Sequence, residues 1–196
     1  MDDIIKKYIV EKITESQVTM TAMLADQVLL SEVQLAAQAC IDCFKGGGKL
    51  LLAGNGGSAA DSQHIAGELV SRFAFDRPGL SAIALTTDTS ILTAIGNDYN
   101  YDDLFSRQIQ AHGKKGDVFI GYSTSGQSKN ILNGLKEAKS RGLLCIGIVG
   151  NKGGVIHGLC DYVLAVPSSD TPKIQEGHLV LGHILCGLIE MTIFQP

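Results

Sequence analysis

A chain of 196 residues with 45% hydrophobic content can bury one sizeable core, and its length does not require a second domain. Its 20 acidic and 16 basic residues leave a formal charge of -4 and no clustered basic surface of the kind that meets a phosphate backbone, which excludes DNA and RNA as the main ligand. The amino-terminal "MDDIIKKYIVEKITESQ" lacks the apolar core of a signal peptide, and the longest apolar stretch, Leu179 to Ile189, contains His183 and falls short of the roughly 20 residues that span a bilayer. A soluble cytoplasmic protein without a membrane partner is expected.

In chain order, residues 3–27 and about 31–45 read as two amphipathic helices, the second stopped by Gly46, Gly47 and Gly48. Cys40 and Cys43 form a C-x-x-C that ends this helix, whereas a redox pair of the thioredoxin type starts one, and no second C-x-x-C completes a zinc knuckle. Five cysteines, an odd number, read as reduced and mostly buried thiols. The pattern then changes to short β-rich runs at 49–54, 80–86, 116–123, 143–150 and 161–167, separated mostly by helical segments. Strands apolar on both faces that alternate with helices predict a parallel sheet covered on each side, a three-layer αβα sandwich of the α/β class. A last helix is announced by "SSDTPKIQEGH", with Thr171 as its cap and Pro172 at the first helical position. One domain over 1–196 is expected, its first 45 residues forming the amino-terminal helices.

In such a sheet, ligands collect beyond the carboxyl ends of the strands, where loops lead into helix amino termini. After the first strand, "GNGGSA" fits the dinucleotide fingerprint through Gly54, Gly56 and Ala59. The acidic residue that should follow about 20 positions later is missing, since Asp76 precedes the next strand and Asp88 comes too late. A Walker A reading fails for want of a lysine between Gly54 and Ser71. What remains is a tight turn in which Asn55, Gly56, Gly57 and Ser58 can meet a small ligand at a helix start, or a plain strand-to-helix turn.

The loop after the third strand, "GYSTSGQSKN", sets Ser123, Thr124, Ser125 and Ser128 around Gly126. Hydroxyls and backbone donors at a helix terminus suit a phosphate monoester. Paired with the glycine loop, they suggest a small polyhydroxylated ligand with a phosphate at one end.

His64 and Glu68 stand four residues apart, on one face of the helix that the glycine loop opens. On the last helix, Gln175 and His183 are separated by about two turns and about 80° in azimuth, so one broad side presents both. These four side chains could gather round a divalent ion, with zinc favoured by the imidazoles; alternatively Glu68 and His183 are a general base and acid. His112 and His157 read as ordinary structural histidines.

The segments "LLAGNGGSAADSQHIAGELVSRF", "ALTTDTSILTAIGNDYNYDDLFSRQ", "GYSTSGQSKNI" and "TPKIQEGHLVLGHILCGLIE" together resemble the phosphoheptose isomerases of the sugar isomerase (SIS) domain superfamily, over nearly the whole chain. The resemblance implies a flavodoxin-like sheet. It also implies reversible aldose–ketose isomerisation of sedoheptulose 7-phosphate to D-glycero-D-manno-heptose 7-phosphate, the first step towards ADP-heptose for the lipopolysaccharide core. On this sequence it implies that Asn55, Gly56 and Gly57 contact the sugar, that Asn97 and Asp98 orient it, and that Ser123, Thr124, Ser125 and Ser128 hold the phosphate. It further implies that His64, Glu68, Gln175 and His183 bind Zn2+, with Glu68 and His183 as the acid–base pair, in a homotetramer with sites at subunit interfaces. Spacing alone could not have proposed Gln175 as a ligand. Some relatives of this family instead bind a protein partner such as a replication initiator, a role that would not require these four residues together. A sugar-phosphate sensor would normally carry a DNA-binding segment, and none is visible.

Overall fold

The computed structural model describes residues 2–151 and 153–195. Two long helices come first, α1 (Asp2–Ala25) and α2 (Gln27–Lys45). They part at Asp26, whose extended backbone lets one carboxylate oxygen accept the Val28 and Leu29 N–H groups at 3.0 Å each. This cap starts α2 about four residues earlier than the sequence pattern suggests, because an aspartate satisfies the orphan donors of a helix start wherever it stands ahead of one.

Five strands follow, each within a residue or two of its expected place: β1 (Leu50–Ala53), β2 (Ala82–Ala84), β3 (Val118–Ser123), β4 (Leu144–Gly150) and β5 (Tyr162–Val166). Between and after them run α3 (Gly57–Val70), α4 (Thr89–Asp98), α5 (Leu104–His112), α6 (Lys129–Ser140) and α7 (Thr171–Phe194). All strand pairs are parallel, in the order β2-β1-β3-β4-β5. The αβα sandwich read from the sequence is therefore present in its flavodoxin-like order, which reverses direction between β1 and β3.

Alternation along the strands divides the core in two. Leu50, Leu52, Ile120, Tyr122, Ile146 and Ile148 pack with residues of α2, α3 and α7 on one face. Leu51, Phe119, Cys145 and Val149 pack with residues of α5 and α6 on the other. Both faces are buried, as a parallel sheet requires. Cys40 and Cys43 lie in the first of these layers, where burial pushes the Cys40 thiol far up and the Cys43 thiol to about 11, so neither is a redox nucleophile at neutral pH.

The last helix begins at Thr171, with Asp170 in the cap position, one residue ahead of the expected cap. At 24 residues α7 is long and apolar enough to cross a membrane, which the shorter apolar run in the sequence did not suggest. Its Ile174, Leu181, Leu185 and Ile189 are instead spent on the core beneath α2 and α3. His178 is fully buried on the same helix, and neither of its nitrogens has a hydrogen-bond partner among the described residues.

Burial lowers the His178 pKa from 6.5 to about 4. The unfolded chain therefore binds a proton that the folded one refuses between those values, and stability should fall as pH drops through that window, by up to about 3 kcal/mol from this residue. Urea denaturation at about pH 7 and about pH 4.5 should show the loss in the wild type and a shallower one in His178→Leu; equal losses would show that His178 is not its source.

Candidate active site

The two loops singled out in the sequence emerge side by side, because β1 and β3 are neighbours at the switch in strand order. Gly56 holds φ at 56°, in the left-handed region, and turns the chain from β1 into α3 without a side-chain cap. Ser128 precedes α6 and likewise makes no side-chain cap bond. By contrast α2 and α4 are capped by Asp26 and Asp88. In α3 the Ser58, Ala59 and Ala60 N–H groups already bond the Asn55 and Gly56 carbonyls, and in α6 the Ile131 N–H bonds the Asn130 side chain. This leaves the Gly57 N–H of α3 and the Lys129 and Asn130 N–H groups of α6 for another acceptor at the positive ends of their helix dipoles.

The loops are stapled together. Asn55 and Asn130 exchange two amide hydrogen bonds of 2.9 Å, and the Tyr101 hydroxyl donates to Asn55 Oδ1 at 3.0 Å. Asn130 and Tyr101 were not anticipated from sequence, since their partner lies 75 and 46 residues away. Gly54, Asn55, Gly56, Thr86, Thr93 and Tyr101 border a cavity of about 290 Å³. In the second loop Ser123 and Ser128 share a hydroxyl hydrogen bond of 3.0 Å, and Ser125 Oγ accepts the Gln127 N–H. Thr124 and Ser125 border a second cavity of about 280 Å³ with Ser168, Ser169 and Thr171. Ser58 is buried at the start of α3.

Helices α3 and α7 lie side by side and parallel. Gly57 meets the Gln175 carboxamide, Ile65 packs over Gly182, and further along Glu190 of α7 binds the backbone just beyond α3. This register carries His183 to His64, with their Nε2 atoms 3.0 Å apart and their rings 5.1 Å apart. Glu68 Oε1 is 3.3 Å from the same His64 nitrogen. One donor atom from each of His64, Glu68 and His183 falls within 4.8 Å of the others, on partly exposed side chains.

A proton on His64 Nε2 could serve only one of its two neighbours, and without it the carboxylate would face a lone pair. A cation among the three donors removes that conflict. A tetrahedral zinc site, with bonds of about 2.0–2.1 Å, has ligand-to-ligand edges of about 3.3 Å. The separations of 3.0 and 3.3 Å fit such a site.

Other expected site residues stand apart in the single chain. Gln175 packs its carboxamide on Gly57, about two helical turns back along α3 from His64, and makes no hydrogen bond to a described residue. Asn97 donates to Asp98 at 2.8 Å at the outer end of α4. Asp98 borders a separate cavity with Tyr99, Arg107 and His112, which shares no residue with the one around Asn55.

The SIS domain model matches residues 13–150. A phosphoheptose isomerase of Burkholderia pseudomallei (strain 1710b) is 69% identical over 95% of each chain, and one of Aneurinibacillus thermoaerophilus is 56% identical over 100% of this chain and 96% of its own. The solved phosphoheptose isomerase of Neisseria gonorrhoeae superposes with a TM-score of 0.88 at 40% identity, covering 95% of this chain and 98% of that one. The corresponding structure from Francisella tularensis gives 0.86 at 35%, covering 96% and 97%. The domain match ends before α7, but these relatives extend the likeness over it, and the chain belongs to the phosphoheptose isomerase family of SIS-domain proteins.

Proposed function

We propose that this chain interconverts sedoheptulose 7-phosphate and D-glycero-D-manno-heptose 7-phosphate, as a cytoplasmic isomerase feeding heptose synthesis. The observation that carries the proposal is the convergence of His64, Glu68 and His183 beside two loops suited to a ligand, in a chain 69% and 56% identical to phosphoheptose isomerases. Asn55 and the backbone of Gly56 and Gly57 bind sugar hydroxyls, and Ser58 supports that turn. Ser123, Thr124, Ser125 and Ser128, with the open N–H groups of α6, bind the phosphate. Anchoring both ends fixes the C1–C2 bond of the sugar for proton transfer.

Glu68 removes the proton from C1 of the ketose and returns it to C2, while His183 carries the hydroxyl proton between the two oxygens. The Glu68 carboxylate has one oxygen turned to His64 at 3.3 Å, which leaves its second oxygen for the carbon proton. Zn2+ held by His64, Glu68 and His183 would supply positive charge to the enediolate oxygens. Gln175 would complete the ligand set by turning from Gly57 towards that trio.

The enzyme works as a homotetramer. Helix α1 buries only Thr19 and Met23 and exposes Ile5, Tyr8, Ile9 and Ile13, an apolar surface that a second copy would cover. Asn97 and Asp98 orient the sugar; Asn97 lies one turn beyond Thr93, which borders the cavity around Asn55.

Purified protein incubated with sedoheptulose 7-phosphate should yield the aldose by NMR, and a chelator should suppress the reaction. Absence of turnover by the untreated wild type would contradict the assignment. Glu68→Gln should keep the same oligomer and lose at least about 10²-fold in rate; near-normal activity would remove Glu68 as the base. Metal content should drop in both His64→Ala and His183→Ala, and full retention in both would refute the zinc site.

A further inference from the structure

Arg77 and Glu190 form an ion pair that the chemistry above does not use. Their side chains are 2% and 1% exposed, and Arg77 Nε donates to Glu190 Oε2 at 2.8 Å. Apart from a 3.1 Å bond to the Pro78 carbonyl, the rest of the guanidinium is directed at the end of α3. That helix stops at Val70, so the carbonyls of its last turn must be met from outside it: Ser71 N–H bonds the Gly67 carbonyl and Leu80 N–H the Leu69 carbonyl. Arg77 Nη2 donates to the Glu68 carbonyl at 2.8 Å, and Nη1 donates to the Leu69 carbonyl at 2.6 Å.

Glu190 completes the connection from α7. It lies seven residues beyond His183, two turns along nearly the same face. Besides Arg77, its carboxylate accepts the backbone N–H groups of Phe73, Ala74 and Phe75 at 2.8, 2.6 and 3.3 Å. Burial alone would push this carboxyl up, but those donors hold it below the ordinary range, so it is charged at neutral pH. The backbone it grips seats the Phe73 ring 5.5 Å from the His183 imidazole.

Burying two charges carries a desolvation cost that often matches or exceeds their attraction, and well-packed apolar residues of similar volume frequently fold as stably. Stability alone is a weak reason for this pair. Its bonds run instead from the backbone of Glu68 to the helix that carries His183.

We propose that Arg77 and Glu190 are positioning residues for the His64, Glu68 and His183 centre. They fix the end of α3 against α7 and thereby hold the Glu68 carboxylate and the His183 imidazole in reacting register. The proposal rests on the isomerase reading of that centre. Residues that orient ligands from behind typically change metal affinity or activity by about 10–100-fold when altered.

The test replaces the pair with apolar residues of similar size, Arg77→Met with Glu190→Leu, and compares this double variant with the wild type after loading with Co2+. Circular dichroism and oligomer size should be unchanged. The visible Co2+ spectrum should shift, Co2+ affinity should fall at least about tenfold, and kcat should fall by a similar factor while KM changes much less. A folded double variant with wild-type spectrum, affinity and kcat would overturn the proposal. Should the double variant not fold, Glu190→Gln and Arg77→Lys take its place, and unchanged spectra and kcat in both would overturn it equally. A wild type that binds Co2+ yet does not turn over sedoheptulose 7-phosphate contradicts the reaction, and the Co2+ comparison then decides the positioning role.

Discussion

The close parallel approach of α3 and α7 is the constraint on which the site depends. Both helices lie on one face of the sheet, over Leu52, Ile120, Tyr122 and Ile148. Glycine at 182 lets them meet, because a methyl group there would come within 2.8 Å of two Ile65 side-chain carbons and displace them. Gly57 does the same for the Gln175 carboxamide nearer the loop. With the backbones this near and in this register, His64 and His183 face each other at 3.0 Å although they are 119 residues apart in the chain. A small change in the distance between the helices would separate the donors, which is why a charge pair spanning their far ends bears on the chemistry.

The two edges of the sheet are treated differently. At the amino ends of β1 and β3, Asp117 accepts the Lys49 and Lys114 backbone N–H groups and the Lys49 ammonium at 2.6 Å, so the polar groups there satisfy one another. At the carboxyl ends the helix starts of α3 and α6 have no side-chain caps, and the loops are braced sideways by the Asn55–Asn130 amide pair instead. Bracing without capping gives a rigid loop that still has donors to offer. This matches the general placement of ligands beyond the carboxyl edge of an open α/β sheet.

Local patterns were legible in the sequence. Strand alternation gave the layers and placed all five strands, and the i, i+4 spacing of His64 and Glu68 put them on one face as found. The start of α2 was misplaced by about four residues and the cap of α7 by one, because several polar side chains near each boundary could serve as the cap. Partners distant in the chain were hidden for a different reason. Asn130 beneath Asn55 and Glu190 opposite Arg77 require the helices in three dimensions, and no periodicity encodes them. Gln175 came from the resemblance and not from spacing; it stands on α7 with His183, and its carboxamide rests on Gly57. Asn97 and Asp98 came from the resemblance and not from spacing.

Anomalous diffraction across the zinc absorption edge, on crystals of the protein as purified, addresses the central claim that the α3–α7 seam holds a metal at the reacting centre. The account predicts one peak per subunit, at bonding distance from His64 Nε2, His183 Nε2 and a Glu68 carboxylate oxygen. Catalytically active crystals with no peak there, and the two imidazoles simply hydrogen-bonded to each other, would contradict it.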